Sequence, residues 1–410
     1  MPKLKTCAAA AAALAVCAML QAPAAAPASL RAATASALDA FLHKAVDEGR
    51  VPAAVAVVAS ADRVLYLHAA GTRDVAAGAA LEPDAIFRIA SMTKPITSAV
   101  VMMLRDEGRL DVEDPVTKYL PEFSGVRVMT SFDEADRTFE SRPPARPITI
   151  RHLLTHTSGI AYSFVDARLA RLDDGRKTEV DMPLLHDPGA HFTYGPNTAV
   201  LGRIVEKISD GRLEEVLKAR VFDPLGMEDT FYAVPEGKRG RVVTLHTRVE
   251  NTLREQPNPA APRSNPRGDG GLFSTAGDYA RFMQLFLNGG RAGGRRVLSE
   301  ASVKQMLANQ IGALFVERQP SADLAHAQPF PFGGGKDKFG FGFQIEGRPA
   351  TPGLRSAGSA SWGGINNTHF WIDPQKQIAV AVLMQFLPYY DPVALDVLRG
   401  VERIVYEQRN

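Results

Sequence analysis

Ser91-Met92-Thr93-Lys94 follows directly on the apolar run at residues 85–90 and is the most informative stretch of this chain. It places a hydroxyl and an amine three residues apart, and residues at i and i+3 share one face of a helix. If Ser91 begins a helix, the free backbone N–H groups and the positive end of the dipole favour negative charge there. This arrangement is typical of a serine nucleophile with lysine as its base or relay. The tetrapeptide alone also fits a helix cap followed by a surface lysine.

Two further motifs lie downstream. Tyr194-Gly195-Pro196-Asn197 leads into the helical pattern of residues 198–206, and Trp362-Gly363-Gly364 precedes a predicted strand at residues 368–372. Three motifs in this order are a far more specific signal than any one of them. The chain resembles the serine hydrolases of the class C β-lactamase and D-Ala-D-Ala carboxypeptidase superfamily. Within it the resemblance is strongest to the esterase branch, the family VIII carboxylesterases.

The resemblance extends from about residue 38 to the C-terminal helix. It includes His152-Leu153-Leu154-Thr155-His156-Thr157-Ser158-Gly159 and the stretch that begins Asp269-Gly270-Gly271. It implies an α/β (α+β) fold of the β-lactamase/transpeptidase-like type, in which an antiparallel sheet is flanked by helices and carries an inserted helical domain. The α/β domain would comprise residues 29–90 and 267–410, and the mostly helical domain residues 91–266. The catalytic cleft would then lie between the two domains.

The same resemblance implies the roles of the site residues. Ser91 would attack an acyl carbonyl and form an acyl-enzyme that water hydrolyses. The serine hydroxyl needs a base within hydrogen-bond reach. Lys94 and Tyr194 are both candidates, and the Tyr194 phenol would have to touch both Ser91 and Lys94. The oxyanion would be held by the backbone N–H groups of Ser91 and Ile365. The implied substrate-binding residues are Trp362, Gly363, Gly364 and Asn197.

Two departures from the lactamase pattern concern the substrate. Class C β-lactamases carry Lys-Thr-Gly where this chain has Trp362-Gly363-Gly364, and that lysine binds the carboxylate of a β-lactam or peptide. Pro196 takes the place of an asparagine and has neither a side-chain amide nor an N–H, so Asn197 is the candidate replacement. The sequence therefore predicts a serine carboxylesterase for small neutral esters. A β-lactamase, a D-Ala-D-Ala carboxypeptidase, an acyltransferase and a penicillin-binding-like receptor remain alternatives.

Residues 1–28 are predicted to be a secretory signal peptide. A basic start is followed by an apolar run at residues 7–20 and by small residues suited to cleavage. The apolar run is too short to span a membrane, so the mature protein would be periplasmic or secreted, without stable membrane insertion. Both cysteines, Cys7 and Cys17, lie in this segment, which excludes disulfide and thiolate chemistry in the mature protein. Lipidation of Cys17 is the alternative.

The charge balance gives no reason to expect a nucleic-acid partner. The 410 residues include 47 Lys and Arg against 45 Asp and Glu, a formal net charge of +2. Removing residues 1–28 deletes Lys3 and Lys5 and brings that charge to 0. The expected partner is a small-molecule ester; the sequence does not indicate an oligomeric state.

Rival catalytic motifs are missing from the sequence. It contains no Gly-x-Ser-x-Gly elbow of the α/β-hydrolase type. His152 and His156 have the spacing of zinc proteases, but Leu153 replaces the glutamate that would act as base. These histidines are therefore interpreted as packing or loop-anchoring residues, and neither a metal nor a cofactor is predicted.

Periodicity predicts the secondary structure coarsely. Strands are predicted at residues 53–59, 63–70, 340–346, 368–372 and 378–385. Helices are predicted at residues 37–48, 95–107, 150–154, 198–208, 213–221, 279–287, 302–309 and 392–406. Three polar or Pro/Gly-rich stretches, at residues 128–146, 248–267 and 318–338, are interpreted either as flexible surface loops or as the rim of the cleft.

Overall fold

The computed structural model describes residues 30–256, 258, 266–347 and 354–407. The predicted signal peptide lies outside these residues. The strands are β1 (Ala53–Ala59), β2 (Val64–Asp74), β3 (Ala79–Ala80), β4 (Phe87–Arg88), β5 (Val128–Asp133), β6 (Thr138–Arg142), β7 (Leu245–Val249), β8 (Thr252–Gln256), β9 (Phe273–Ser274), β10 (Arg291–Ala292), β11 (Arg295–Arg296), β12 (Lys338–Phe339), β13 (Gln344–Ile345), β14 (Ala360–Gly364), β15 (Thr368–Asp373), β16 (Ile378–Leu383) and β17 (Phe386–Leu387). The helices are α1 (Ala32–Asp47), α2 (Thr93–Asp106), α3 (Ile150–Leu154), α4 (Ala167–Leu172), α5 (Asn197–Ser209), α6 (Leu213–Leu217), α7 (Asp223–Leu225), α8 (Ala276–Leu287), α9 (Glu300–Met306) and α10 (Pro392–Glu407).

An eight-stranded antiparallel sheet forms the centre of the fold, in the order β12-β13-β14-β15-β16-β1-β2-β3. Its central strands, β1 and β16, are apolar and buried along their whole length. Such continuous apolar runs are expected where both faces of a sheet are covered. Helices α1 and α10 pack on one face, and α8 packs on the other.

Ser91 is positioned where the sheet meets α2. A short 3₁₀ turn, Ala90–Met92, leads into α2, which is buried from Thr93 to Leu104. Ala90 has a φ of +44°, in the left-handed region that residues with a Cβ seldom adopt. The Tyr279 hydroxyl of α8 donates to Met92 O over 3.0 Å and so fixes the turn from behind. This backbone strain directly before Ser91 is held by the packed surroundings.

Most predicted elements are confirmed. The helices and strands predicted next to the three motifs lie within a few residues of their predicted bounds, but β14, which carries Trp362, Gly363 and Gly364, was not predicted as a strand. The strand predicted at residues 340–346 is shorter, with only Gln344–Ile345 paired as β13. The helix predicted at residues 213–221 is α6 followed by a π-helical turn, Lys218–Phe222.

Two stretches that were interpreted as loops contain hairpins. Residues 128–142 form β5 and β6, and residues 245–256 form β7 and β8, with β7 also paired to β17. Their outward-facing polar residues conceal the strand pattern, because an exposed hairpin lacks a continuous apolar face. The interpretation of these two stretches as loops was therefore wrong over the paired residues.

The division into two domains stays a prediction. One buried apolar cluster runs through residues of both predicted domains, from Val55 of β1 through Val100 of α2 to Leu201 of α5. In the part of the chain that the structure describes, no helix has the length and apolar composition needed to cross a bilayer.

The close approach of Gly268 to α5 yields a stability prediction. A Cβ at Gly268 would collide with the backbone oxygen of Thr198 and lie 3.0 Å from Gly202. We expect Gly268→Ala to lower the free energy of unfolding by about 1–3 kcal/mol, as overpacking does. Gly125→Ala is the matched control, because a Cβ there would meet nothing within 4 Å. Urea unfolding of both variants checks this, and equal stabilities would contradict it.

Candidate active site

The three residues predicted to be catalytic converge at the start of α2. Lys94 Nζ lies 3.0 Å from Ser91 Oγ. The Tyr194 hydroxyl, from the segment before α5, lies 2.7 Å from the same Oγ. Both groups are therefore within the reach that a general base for this hydroxyl requires.

Lys94 is held by two further oxygens that the sequence analysis did not assign. Its Nζ donates to Tyr162 OH over 3.0 Å and to Asp269 O over 2.7 Å, and the residue is only 1% exposed. With Ser91 Oγ these give three acceptors for the three protons of an ammonium. The Tyr194 ring also lies against Lys94, with Nζ 4.9 Å from the ring centroid. The Tyr162 phenol is a second aromatic neighbour and accepts a hydrogen bond from the same amine.

Asp269 links Lys94 to Arg267. Its carboxylate accepts from Tyr162 OH over 2.5 Å and from Arg267 Nε over 2.9 Å. Burial alone would raise the pKa of Asp269, but the charges of Lys94 and Arg267 and these hydrogen bonds hold it below its ordinary value. Burial, followed by the Asp269 charge, raises the pKa of Tyr162 well above its usual range. Tyr162 therefore keeps its proton, donates to Asp269 and accepts from Lys94.

A cavity of about 460 Å³ opens at Ser91. This volume is within the ordinary range for small-molecule sites. Half of its lining residues are aromatic, so its walls are mostly apolar. The lining residues are Ala90, Ser91, Tyr162, Phe164, Tyr194, Tyr232, Arg267, Asp269, Gly270, Gly271, Phe273, Phe330, Trp362, Gly363, Ile365 and Tyr389.

The third motif borders this cavity only in part. Trp362, Gly363 and Ile365 line it. Gly364 instead packs against Ile89, and a Cβ on Gly364 would collide with the Ile89 backbone oxygen. Gly364 is not among the residues that line the cavity, and its predicted contact with substrate stays a prediction. Because Ile89 lies two residues before Ser91, this close approach keeps the turn after β14 beside the nucleophile. The oxyanion role of the Ser91 and Ile365 N–H groups stays a prediction.

Asn197 does not reach the cavity. It is fully buried, and its Nδ2 lies 3.0 Å from His156 Nδ1 and 3.3 Å from Ile160 O. Its Oδ1 accepts from the Ser158 hydroxyl. Because protein groups occupy both ends of the amide, the prediction that Asn197 contacts substrate was wrong. Asn197 instead anchors residues 156–160 to the start of α5.

The two histidines with zinc-protease spacing have packing and anchoring roles, as predicted. His152 Nδ1 accepts from Thr149 N over 3.1 Å and completes the cap of α3. His156 is 2% exposed, and burial together with the Lys94 charge lowers its pKa well below the usual value. Among the described residues no group of three or more His, Cys, Asp or Glu side chains is arranged to hold a metal ion.

The stretch at residues 318–338 reaches the cavity, which was one of its two interpretations. Phe330 lines the cavity, with its ring 5.4 Å from that of Tyr194. Gln319 Oε1 accepts from Tyr194 N over 2.9 Å. This stretch therefore both walls the cavity and holds the backbone of the predicted catalytic tyrosine.

A serine hydroxyl shared by an amine and a phenol, at an apolar cavity on this antiparallel fold, defines a serine hydrolase or acyltransferase of the β-lactamase fold. The sequence profile of the Beta-lactamase family matches residues 38–399. The chain belongs to the Beta-lactamase family, and the predicted resemblance is confirmed.

Relatives extend over most of the chain. Protein Rv1367c of Mycobacterium tuberculosis is 35% identical over 368 residues, which cover 85% of this chain and 89% of that protein. Esterase EstB of Burkholderia gladioli is 29% identical over 390 residues, which cover 86% of this chain and 90% of EstB. The solved LovD6 mutant of simvastatin synthase from Aspergillus terreus has a TM-score of 0.77 at 26% identity, covering 92% of this chain and 95% of its own. These matches confirm the predicted fold class.

The convergence of Lys94 and Tyr194 on one hydroxyl predicts a non-additive effect. We expect Lys94→Ala and Tyr194→Phe each to lower the kcat for an ester by about 10²- to 10⁴-fold. The double variant should lose little more than the worse single variant, since residues that act as a unit are not additive. Steady-state kinetics of the four proteins measures this.

Tyr232→Phe supplies the matched control for that cycle. Tyr232 also lines the cavity, but its hydroxyl donates to Arg267 O over 2.7 Å and not to Ser91. The factor by which Tyr232→Phe lowers kcat should multiply with the factor for Lys94→Ala. If Lys94→Ala and Tyr194→Phe multiplied in the same way, their shared role would be refuted.

Proposed function

We propose that this protein is a serine carboxylesterase that cleaves small neutral esters through an acyl-enzyme on Ser91. The observation that carries the proposal is the placement of Ser91 Oγ between Lys94 Nζ and Tyr194 OH, at 3.0 Å and 2.7 Å, beside a cavity with aromatic walls. A hydroxyl in that position can lose its proton as it attacks.

The proposed reaction has two stages. Ser91 Oγ attacks the ester carbonyl carbon while its proton passes to whichever partner is unprotonated for this step, the neutral amine of Lys94 or the phenolate of Tyr194. The N–H groups of Ser91 and Ile365 hold the oxyanion, the bond to the alcohol oxygen breaks, and that oxygen takes the proton. Water then attacks the acyl-enzyme by the same route, which releases a carboxylic acid and restores the Ser91 hydroxyl.

The charges around Ser91 favour a neutral substrate. Lys94 has three oxygen acceptors, and Arg267 is bound to Asp269 and lies 3.3 Å from Glu179 Oε1. Trp362 stands at the motif position of the carboxylate-binding lysine. Lys94 therefore has no proton left to donate to a substrate carboxylate, and the charge of Arg267 is balanced by Asp269 and Glu179.

The named relatives support both hydrolysis and transfer. EstB is named an esterase and LovD6 a simvastatin synthase mutant. Water and an alcohol would attack the same acyl-enzyme, so one experiment separates the two outcomes. Added alcohol should leave the rate of acid release largely unchanged in an esterase, whereas a transferase would form mainly the new ester.

Labelling of Ser91 tests the proposed mechanism. A phosphonate or sulfonyl fluoride probe should form one adduct, on the peptide that contains Ser91, because only this hydroxyl would be activated. Mass spectrometry of the digest identifies the site, and Ser91→Ala is the control that should remain unlabelled. An adduct elsewhere, or full esterase activity of Ser91→Ala, would overturn the mechanism.

The substrate preference follows from the missing lysine contact. A charge-assisted bond contributes about 1.5–3 kcal/mol, which corresponds to about 10- to 150-fold in rate. We expect kcat/KM for p-nitrophenyl butyrate to exceed that for a chromogenic cephalosporin by at least about tenfold. If the wild-type protein had the higher kcat/KM for the cephalosporin, the proposed activity would change from esterase to β-lactamase, and the proposed roles of Ser91, Lys94 and Tyr194 would stay the same.

We also propose that the protein is exported and acts in the periplasm or outside the cell. The support is the sequence of residues 1–28, with its basic start, apolar run and small residues. N-terminal sequencing of the secreted form should give a start between about Ala25 and Leu30. A protein that retains Met1, or one that begins at a lipidated Cys17, would contradict this cleavage.

A further inference from the structure

Four tyrosines line the cavity at Ser91, and three of their hydroxyls are already engaged. Tyr162 donates to Asp269, Tyr194 is bonded to Ser91, and Tyr232 donates to Arg267 O. Among the described residues the Tyr389 hydroxyl has no hydrogen-bond partner, although the residue is only 8% exposed. Tyr389 lines the cavity, and its hydroxyl is not among the buried unpartnered polar atoms of the described residues, so it is open to water or to a group of a bound substrate.

Tyr389 is held rigidly in place. Its backbone N–H donates to His326 O and its carbonyl accepts from Gln328 N, both over 2.8 Å. Its ring stacks on that of His369, with centroids 5.7 Å apart and an angle of 16°. The hydroxyl lies over β14, 2.6 Å from the point where a Cβ of Gly363 would be. An ordered ring over a glycine presents its hydroxyl at a fixed position.

Tyr389 lies on the same side of the cavity as Tyr194. The Phe330 ring contacts both, with its centroid 5.4 Å from that of Tyr194 and 5.3 Å from that of Tyr389. In the proposed reaction Tyr194 is one of the two groups that can return the proton to the leaving alcohol. The alcohol portion of the ester would then lie along Phe330, towards Tyr389.

The surroundings behind Tyr389 are polar. Tyr389, Trp362 and Gly363 also border a second cavity, of about 520 Å³, which lies between the β14 end of the sheet and α10. Four basic and four acidic side chains line it, among them Glu346 and Arg399. Tyr389 therefore stands at the boundary between the apolar first cavity and a second cavity lined by charged side chains.

We infer that Tyr389 determines specificity by donating its phenolic hydrogen to an oxygen in the alcohol portion of the substrate. The preferred substrates are then esters of oxygen-bearing alcohols, such as glycols and glycerol, rather than esters of plain alkyl alcohols. This inference rests on the proposed esterase function. It adds the substrate class, since nothing in the Ser91, Lys94 and Tyr194 arrangement distinguishes one neutral alcohol from another.

The test compares two esters of matched shape. In 2-methoxyethyl butyrate an ether oxygen replaces one methylene of butyl butyrate, while the acyl group stays the same. Both esters give the same acyl-enzyme, so kcat/KM reports the step in which the alcohol leaves. For Tyr389→Phe we expect the ratio of kcat/KM, methoxyethyl over butyl ester, to fall about three- to tenfold from the wild-type ratio, the worth of one hydrogen bond. Titration of released butyric acid measures both rates.

Tyr390→Phe is the matched control, because the Tyr390 hydroxyl accepts from Phe332 N over 3.0 Å, and Tyr390 borders the second cavity without lining the first. It should keep the wild-type ratio. The ratio does not depend on the fraction of active protein, so partial misfolding of a variant cannot mimic the effect. A ratio in Tyr389→Phe equal to the wild-type or Tyr390→Phe ratio overturns the inference while leaving the esterase intact. Wild-type protein inert towards both esters overturns the proposed function and this inference with it.

Discussion

The burial of one amine, that of Lys94, is the constraint on which the site depends. An ammonium removed from water without acceptors is destabilised by several kcal/mol. Lys94 is 1% exposed, and its acceptors come from the turn before α2, from Tyr162 and from the backbone of Asp269. These three segments must therefore meet within hydrogen-bond distance of one nitrogen. The requirement that stabilises the amine also places it beside the Ser91 hydroxyl.

The charges around that amine form a compensated group. Asp269 and Glu179 supply two carboxylates against the two cations, Lys94 and Arg267. His156 adds no third cation, because burial and then the Lys94 charge keep its pKa well below the usual value. In a buried site, attraction between opposite charges is weakly screened. The arrangement therefore holds each charge in place and leaves the group close to neutral overall.

The sequence predicted what depends on local pattern. The helix that begins near Ser91 and the buried strands β1 and β16 follow from short-range periodicity. The partners of Lys94 do not, because Tyr162 and Asp269 lie 68 and 175 residues away along the chain.

The interior position of Asn197 depends in the same way on distant residues. It bonds His156, 41 residues earlier, and motif spacing cannot say which way its side chain turns. The stretch that begins at Asp269 stood out in the sequence. Nothing in its residue pattern indicated that the Asp269 backbone contacts Lys94.

The second and third motifs both depart from the lactamase pattern, and one aromatic cluster links Trp362 of the third motif to Tyr194 and Asn197 of the second. Trp362 packs 5.2 Å from the Tyr194 ring and stacks at 6.4 Å on His156. His156 in turn uses Nδ1 to bind Asn197, which draws that amide into the interior. A lysine in place of Trp362 would bring a second ammonium against this neutral imidazole and require acceptors there. The tryptophan and the inward asparagine thus meet at one imidazole, and the tryptophan extends the apolar wall of the cavity at Ser91.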